Sequence, residues 1–301
     1  MSRFRPLPLL RGALLATCSG LAIAIAAPAA QAAPTVAVSY TYSLGFGPVS
    51  DSASSATSVS LYPSDSSGAS SIFGAHWGSV NGVFGSRSTG NGTYENAGTS
   101  SWTDTFTNTG PAPISLVASF LIEQGQVSVS STYGGMVSAG VSAVINVNGS
   151  PVFSSSADMS LVDGGLATLV KTGTDLAPGA ESLSDGSGSY YWGTYIGSIY
   201  LGLVAPNESV NIAYILASYA NSTATGCEYG GYGGYGGYGG YGGYGSCATS
   251  TGRIGDPINI GQSSDVAFQF NEVAVPEPAT AVLLGAGLAG LAMRRRRTTK
   301  A

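Results

Sequence analysis

The chain has 301 residues, of which 44% are hydrophobic and only 9% charged, and a formal net charge of −5. Three of its eleven basic residues stand before Ala33 and five after Pro278, so the stretch between keeps Arg87, Lys171 and Arg253 against sixteen acids, a formal −13. That balance excludes a nucleic-acid binder, which needs a basic footprint, and the Val-, Ile-, Leu- and Tyr-bearing runs exclude a disordered polymer.

The first segment predicted is a secretory signal peptide over residues 1–32. Arg3, Arg5 and Arg11 give a basic start, Gly12 to Ala27 an apolar run, and Ala30-Gln31-Ala32 a small-residue cleavage site with the cut before Ala33. A retained anchor is the competing reading, but the run is shorter than the roughly 20 residues a spanning helix needs. A lipoprotein signal ending at Cys18 would place Thr17 where a smaller residue belongs. The sequence up to that point also leaves little apolar run after Arg11.

The body, residues 33–274, alternates with period 2. Strands are predicted at Thr35 to Tyr42, Thr57 to Leu61, Gln126 to Ser130, Val137 to Val147, Leu166 to Lys171, Tyr195 to Val204, Val210 to Ser218 and Val266 to Val273. Ser115 to Ile122 is more apolar and predicts a strand buried on both faces. Asn148-Gly149, Asp163-Gly164-Gly165 and Ala205-Pro206-Asn207 read as turns. No amphipathic helix interrupts this pattern. The fold class predicted is all-β, a β-sandwich of jelly-roll-like or immunoglobulin-like kind. A single C-terminal transmembrane sorting helix follows it.

The body offers little chemistry in its sequence. His76 is its one histidine, beside Trp77, and no G-x-S-x-G surrounds a serine. A lone histidine next to an aromatic reads as structural. Asp158 with Asp163, or Asp175 with Glu181, could serve a glycosidase if close in space. No catalytic residue, metal ligand set or cofactor is assigned. Tyr190, Tyr191 and Trp192 are the candidate sugar contacts, because aromatic faces stack on sugars; the alternative is that alternate members fill the core.

Tyr-Gly-Gly triplets begin at Tyr229, Tyr232, Tyr235, Tyr238 and Tyr241, inside a loop bounded by Cys227 and Cys247. In an exported chain these two cysteines are expected to form a disulfide, contributing about 3 kcal/mol by the chain-entropy estimate. Ordering so many glycines is entropically costly. A flexible loop, an adhesive or polysaccharide-contacting loop and a self-associating segment compete as readings.

The last 27 residues, 275–301, have three parts. Pro276-Glu277-Pro278 comes first, then an uncharged run from Ala279 to Met293, then Arg294, Arg295, Arg296 and Arg297. At 1.5 Å per residue the run spans about 22 Å, marginal against a hydrocarbon core of about 30 Å. The arginines act as a stop on the cytoplasmic side. Gly285-Ala286-Gly287-Leu288-Ala289-Gly290 matches a dinucleotide-binding pattern, but it stands inside an apolar helix with basic residues behind it and is rejected as such a site. Small residues at this spacing suit close helix approach in a membrane.

This order of parts resembles the PEP-CTERM sorting signal of Gram-negative bacteria that make extracellular polysaccharide. The resemblance implies an exosortase as partner, cutting at or near Pro276-Glu277-Pro278, and transient residence in the inner membrane before delivery to the cell surface or exterior. The function expected is that of a non-enzymatic structural or adhesive protein of the exopolysaccharide matrix, with polysaccharide as a further partner. A secreted glycan-active hydrolase and a carbohydrate-binding module are the alternatives.

Overall fold

The computed structural model describes residues 30–31, 33–176, 179–224, 248–255 and 268–274. Among these, every regular element is a strand. The first seven are β1 (Ala30–Gln31), β2 (Thr35–Ser43), β3 (Val49–Ser55), β4 (Ser58–Leu61), β5 (Ser64–Ser67), β6 (Ser70–Ser79) and β7 (Phe84–Asn91). The next six are β8 (Thr93–Thr107), β9 (Ile114–Ile122), β10 (Gly125–Ser131), β11 (Met136–Val147), β12 (Ser150–Val162) and β13 (Thr168–Gly173). The last six are β14 (Gly179–Ser184), β15 (Ser187–Trp192), β16 (Tyr195–Val204), β17 (Ser209–Thr223), β18 (Ala248–Ile254) and β19 (Phe268–Ala274).

The first sheet runs β13-β12-β11-β17-β8-β2-β3, with β1 also on β8. The second runs β14-β15-β10-β18-β7-β6-β4, with β5 also on β6, and a third is β16-β9-β19. Every ladder among them is antiparallel. The first two sheets lie face to face, β17 and β8 against β7, and β11 against β18. This is the sandwich predicted.

Alternation explains why each strand lies as it does. In β8, Tyr94, Trp102 and Phe106 point inward while Thr93, Thr99, Thr103 and Thr105 face out. β17 repeats the scheme with Val210, Ile212, Tyr214 and Leu216 inside. Outward Ser and Thr hydroxyls form cross-strand pairs, Thr35 with Thr103 at 2.6 Å and Ser39 with Thr99 at 2.7 Å. Asn148 and Gly149 both have positive φ, 50° and 81°, and close a two-residue hairpin between β11 and β12. The turn expected at Asp163-Gly164 is likewise left-handed, with φ of 50° and 67°.

β9 corrects one expectation. It was predicted to be buried on both faces, but Leu116, Ala118, Phe120 and Ile122 are buried while Val117, Ser119 and Leu121 are only half-buried. It is the middle strand of a three-stranded sheet, and one of its faces is buried while the other is only half-buried.

The core has two zones. One is apolar, joining Phe84, Trp102, Val127, Val137, Ile212 and Ile254. The other is built of small and polar residues, with Ser86, Ser88, Asn96, Ser100, Ser218 and Ser250 all buried. Here the sheets approach closely: a Cβ on Gly252 of β18 would stand 2.4 Å from the Gly140 carbonyl oxygen and 2.7 Å from that of Tyr219, both in the facing sheet. Rings fill against glycines in the same zone. Tyr94 covers Gly90, and the His76 imidazole covers Gly98.

Candidate functional site

β15 sorts the predicted aromatic cluster by its pleat. Tyr190 and Trp192 point into the sandwich, 2% and 3% exposed, whereas Tyr191 points out at 46%. Trp192 packs its indole against Gly125 and donates its N–H to the Glu123 carbonyl at 3.2 Å. Tyr190 lies tilted against it, ring centroids 5.5 Å apart. Of the three, Tyr191 is the ring presented to solvent.

Tyr190 also forms one wall of a cavity of about 200 Å³ at the sandwich edge, with Ser156, Lys171, Thr172, Asp175 and Leu176. Its hydroxyl donates to Asp175 at 3.2 Å. Lys171 sits 5.1 Å over its ring and 3.4 Å from the same carboxylate. Burial above all, then the negative charge and hydrogen bond of Asp175 and the charge of Glu181, push the Tyr190 phenol up to about 12. Asp175 is thus engaged by the tyrosine hydroxyl, while Glu181 stands opposite Tyr190 on β14 and acts on that phenol through its charge. Asp158 accepts from the Tyr219 hydroxyl at 3.0 Å on the outer face of the first sheet, and burial followed by that carboxylate raises the Tyr219 phenol. Asp163 instead accepts the Gly135 N–H at 2.8 Å in the turn after β12.

His76 is fully buried between the sheets. Ser86 Oγ donates to the Gly98 carbonyl at 2.9 Å, which leaves it to accept from the His76 Nδ1–H, also at 2.9 Å. Ser218 Oγ joins Ser86 at 2.8 Å and Ser88 at 3.0 Å. Nε2 has no partner. Bare nitrogen is tolerable there; a second N–H would be an unmet donor in the interior. Burial accordingly pulls the imidazole down to about 4.

The outer face of the second sheet carries a row that sequence order conceals. Register places Tyr191, Gln126, Arg253, Arg87 and Ala75 side by side on β15, β10, β18, β7 and β6. Gln126 donates to the Tyr191 hydroxyl at 3.0 Å. Arg87 lies 5.3 Å over the Phe73 ring. Among the described residues neither arginine has an acid within salt-bridge distance, and Nε of each is buried without a hydrogen-bond partner. Burial, then the charge of Arg253, lowers the Arg87 pKa. The two residues lie 166 positions apart in the chain, and no local pattern announces the pair.

Three-acid or His/Cys clusters suited to a metal are not found among the described residues. Nor is any helix there long and apolar enough to cross a membrane. Ala30, predicted to belong to a cleavage site, is the first residue of β1, which pairs with the end of β8, and Ala33 lies two positions before β2. Ala32, Cys227, Cys247, Pro276, Glu277, Pro278 and Arg294 to Arg297 lie outside the described residues, as does the run expected to span the membrane.

Comparison with known families supplies what the geometry of the body does not. Residues 274–297 match the PEP-CTERM protein-sorting motif. The match begins on Ala274, the last residue of β19. No curated protein matches the chain, and no solved structure does.

Proposed function

We propose that this is a non-enzymatic structural or adhesive protein of the cell exterior. It is exported through the inner membrane, tethered there by its C-terminal helix, and passed by an exosortase to the cell surface or the polysaccharide around it. The observation that carries this reading is the sorting motif and its place in the fold. β19 is an edge strand of the third sheet, and the motif starts on its final residue. Four residues separate Ala274 from Ala279, a reach of at most about 17 Å for extended chain. While tethered, the body is held close to the membrane where a membrane enzyme can act on the Pro-Glu-Pro segment.

The non-enzymatic part rests on where the reactive side chains are used. The one histidine of the body is sealed in the core and held neutral. Asp158 and Asp175 accept hydrogen bonds from the hydroxyls of Tyr219 and Tyr190. Tyr191 supplies an outward aromatic face for contact with a sugar.

Cell fractionation of the wild type and of a variant lacking Pro276, Glu277 and Pro278 tests the reading. The wild type is expected in the surface or medium fraction and the deletion in the inner membrane. Identical distribution of the two would refute exosortase-dependent sorting.

A further inference from the structure

We propose that the outer face of the second sheet binds a sparsely charged acidic glycan, its carboxylate at Arg87 and Arg253 and a neighbouring neutral sugar against Tyr191. The inference deepens the reading of an exported polysaccharide-contacting protein and rests on it for where such a ligand is met. The binding chemistry stands on the strip itself.

Arg87 and Arg253 are directly opposed across β7 and β18. Like charges in that position repel. The body carries fifteen acids for its three bases, yet among the described residues neither arginine pairs with one. Lys171, the third base, does pair. Both Nε atoms are buried and unmet, which leaves the Nη ends of the two guanidinium groups as the donors a ligand can reach. A carboxylate there answers the unpaired charge. It offsets the repulsion and accepts from guanidinium N–H groups in the forked geometry that arginine favours. Phe73 under Arg87 helps to hold that guanidinium in place.

The rest of the row defines the neighbour. Tyr191 stands two strands from Arg253, about 10 Å at the usual strand spacing. That is the reach of a short oligosaccharide rather than of one sugar. Its ring is held by the Gln126 amide, which also reaches Ser128 Oγ at 3.1 Å. Flanking hydroxyls at Thr89 and Thr251, 2.8 Å apart, border the arginines. The formal −12 of the body repels a polymer with an acid on every sugar. The strip therefore suits isolated acidic sugars spaced by neutral ones.

The test uses full-length protein in detergent and a neutral xylo-oligosaccharide carrying one glucuronic acid, compared with the same compound after carboxyl reduction. Titration calorimetry is expected to show at least tenfold tighter binding of the acidic form. Arg253→Gln and Arg253→Lys should both lose that preference, with an unchanged or higher melting temperature because the opposed charge is gone or more mobile. Tyr191→Ala should weaken both compounds alike. Equal binding of the two compounds by the wild type, or a preference that survives Arg253→Gln, would overturn the proposal. Absence of any binding would overturn it too, while leaving exosortase-dependent sorting to stand or fall by fractionation.

Discussion

At the scale of residues, one glycine and one imidazole define each other. A Cβ on Gly98 would stand 2.2 Å from His76 Cε1, so Gly98→Ala should destabilise by about 2 kcal/mol, the usual size of overpacking. The double variant with His76→Ala should recover part of that loss in chemical denaturation, since the methyl then enters space the ring has left. His76 also predicts a pH dependence. The unfolded chain takes up its proton near 6.5, whereas the folded imidazole resists until about 4. The unfolded state therefore binds more protons between those values, and stability falls as pH drops from 6.5 to about 4. His76→Gln should flatten that part of the stability profile relative to the wild type; parallel profiles would show that the imidazole is not held neutral. The aromatic cluster separates in the same way. Trp192→Ala should cost about 3–5 kcal/mol and Tyr191→Ala less than about 0.5 kcal/mol, because one ring is core and the other faces solvent.

At the scale of elements, the sandwich depends on where the sheets touch. Gly252 meets backbone rather than a movable side chain, at 2.4 Å and 2.7 Å from two carbonyl oxygens. Gly252→Ala must push β18 away from β11 and β17. A loss of about 2 kcal/mol or more is expected from denaturant midpoints; a neutral result would mean the sheets are not so close. This zone also explains what the sequence hid. Strands such as β2, β10, β11 and β17 were legible because Val, Ile and Tyr alternate with small residues. β6, β7 and β18 were not, because their inward positions are Gly74, His76, Ser86, Ser88, Gly90, Ser250 and Gly252. A period of small residues carries no hydrophobic contrast, although it permits the close approach that buries them. Leu166 misled in the opposite direction. It looked like the start of a strand, but it makes an isolated bridge to Asp185 and is 64% exposed, and β13 begins at Thr168.

At the scale of the whole molecule, address and activity are written differently. The sorting tail is contiguous, and its three parts in order are readable without any fold. The strip of Tyr191, Gln126, Arg253 and Arg87 is assembled from four strands, and register alone brings it together. The −12 of the body and the third sheet that leads into Ala274 connect the two, since they describe an acidic sandwich whose C-terminus runs into a sorting signal. Intact-mass and terminal mapping of the protein recovered from the cell surface or medium tests this most directly. The account predicts a chain that starts at Ala33, ends at or near Pro276-Glu277-Pro278, and carries Cys227 joined to Cys247. A surface species that still holds Arg294 to Arg297 would contradict it.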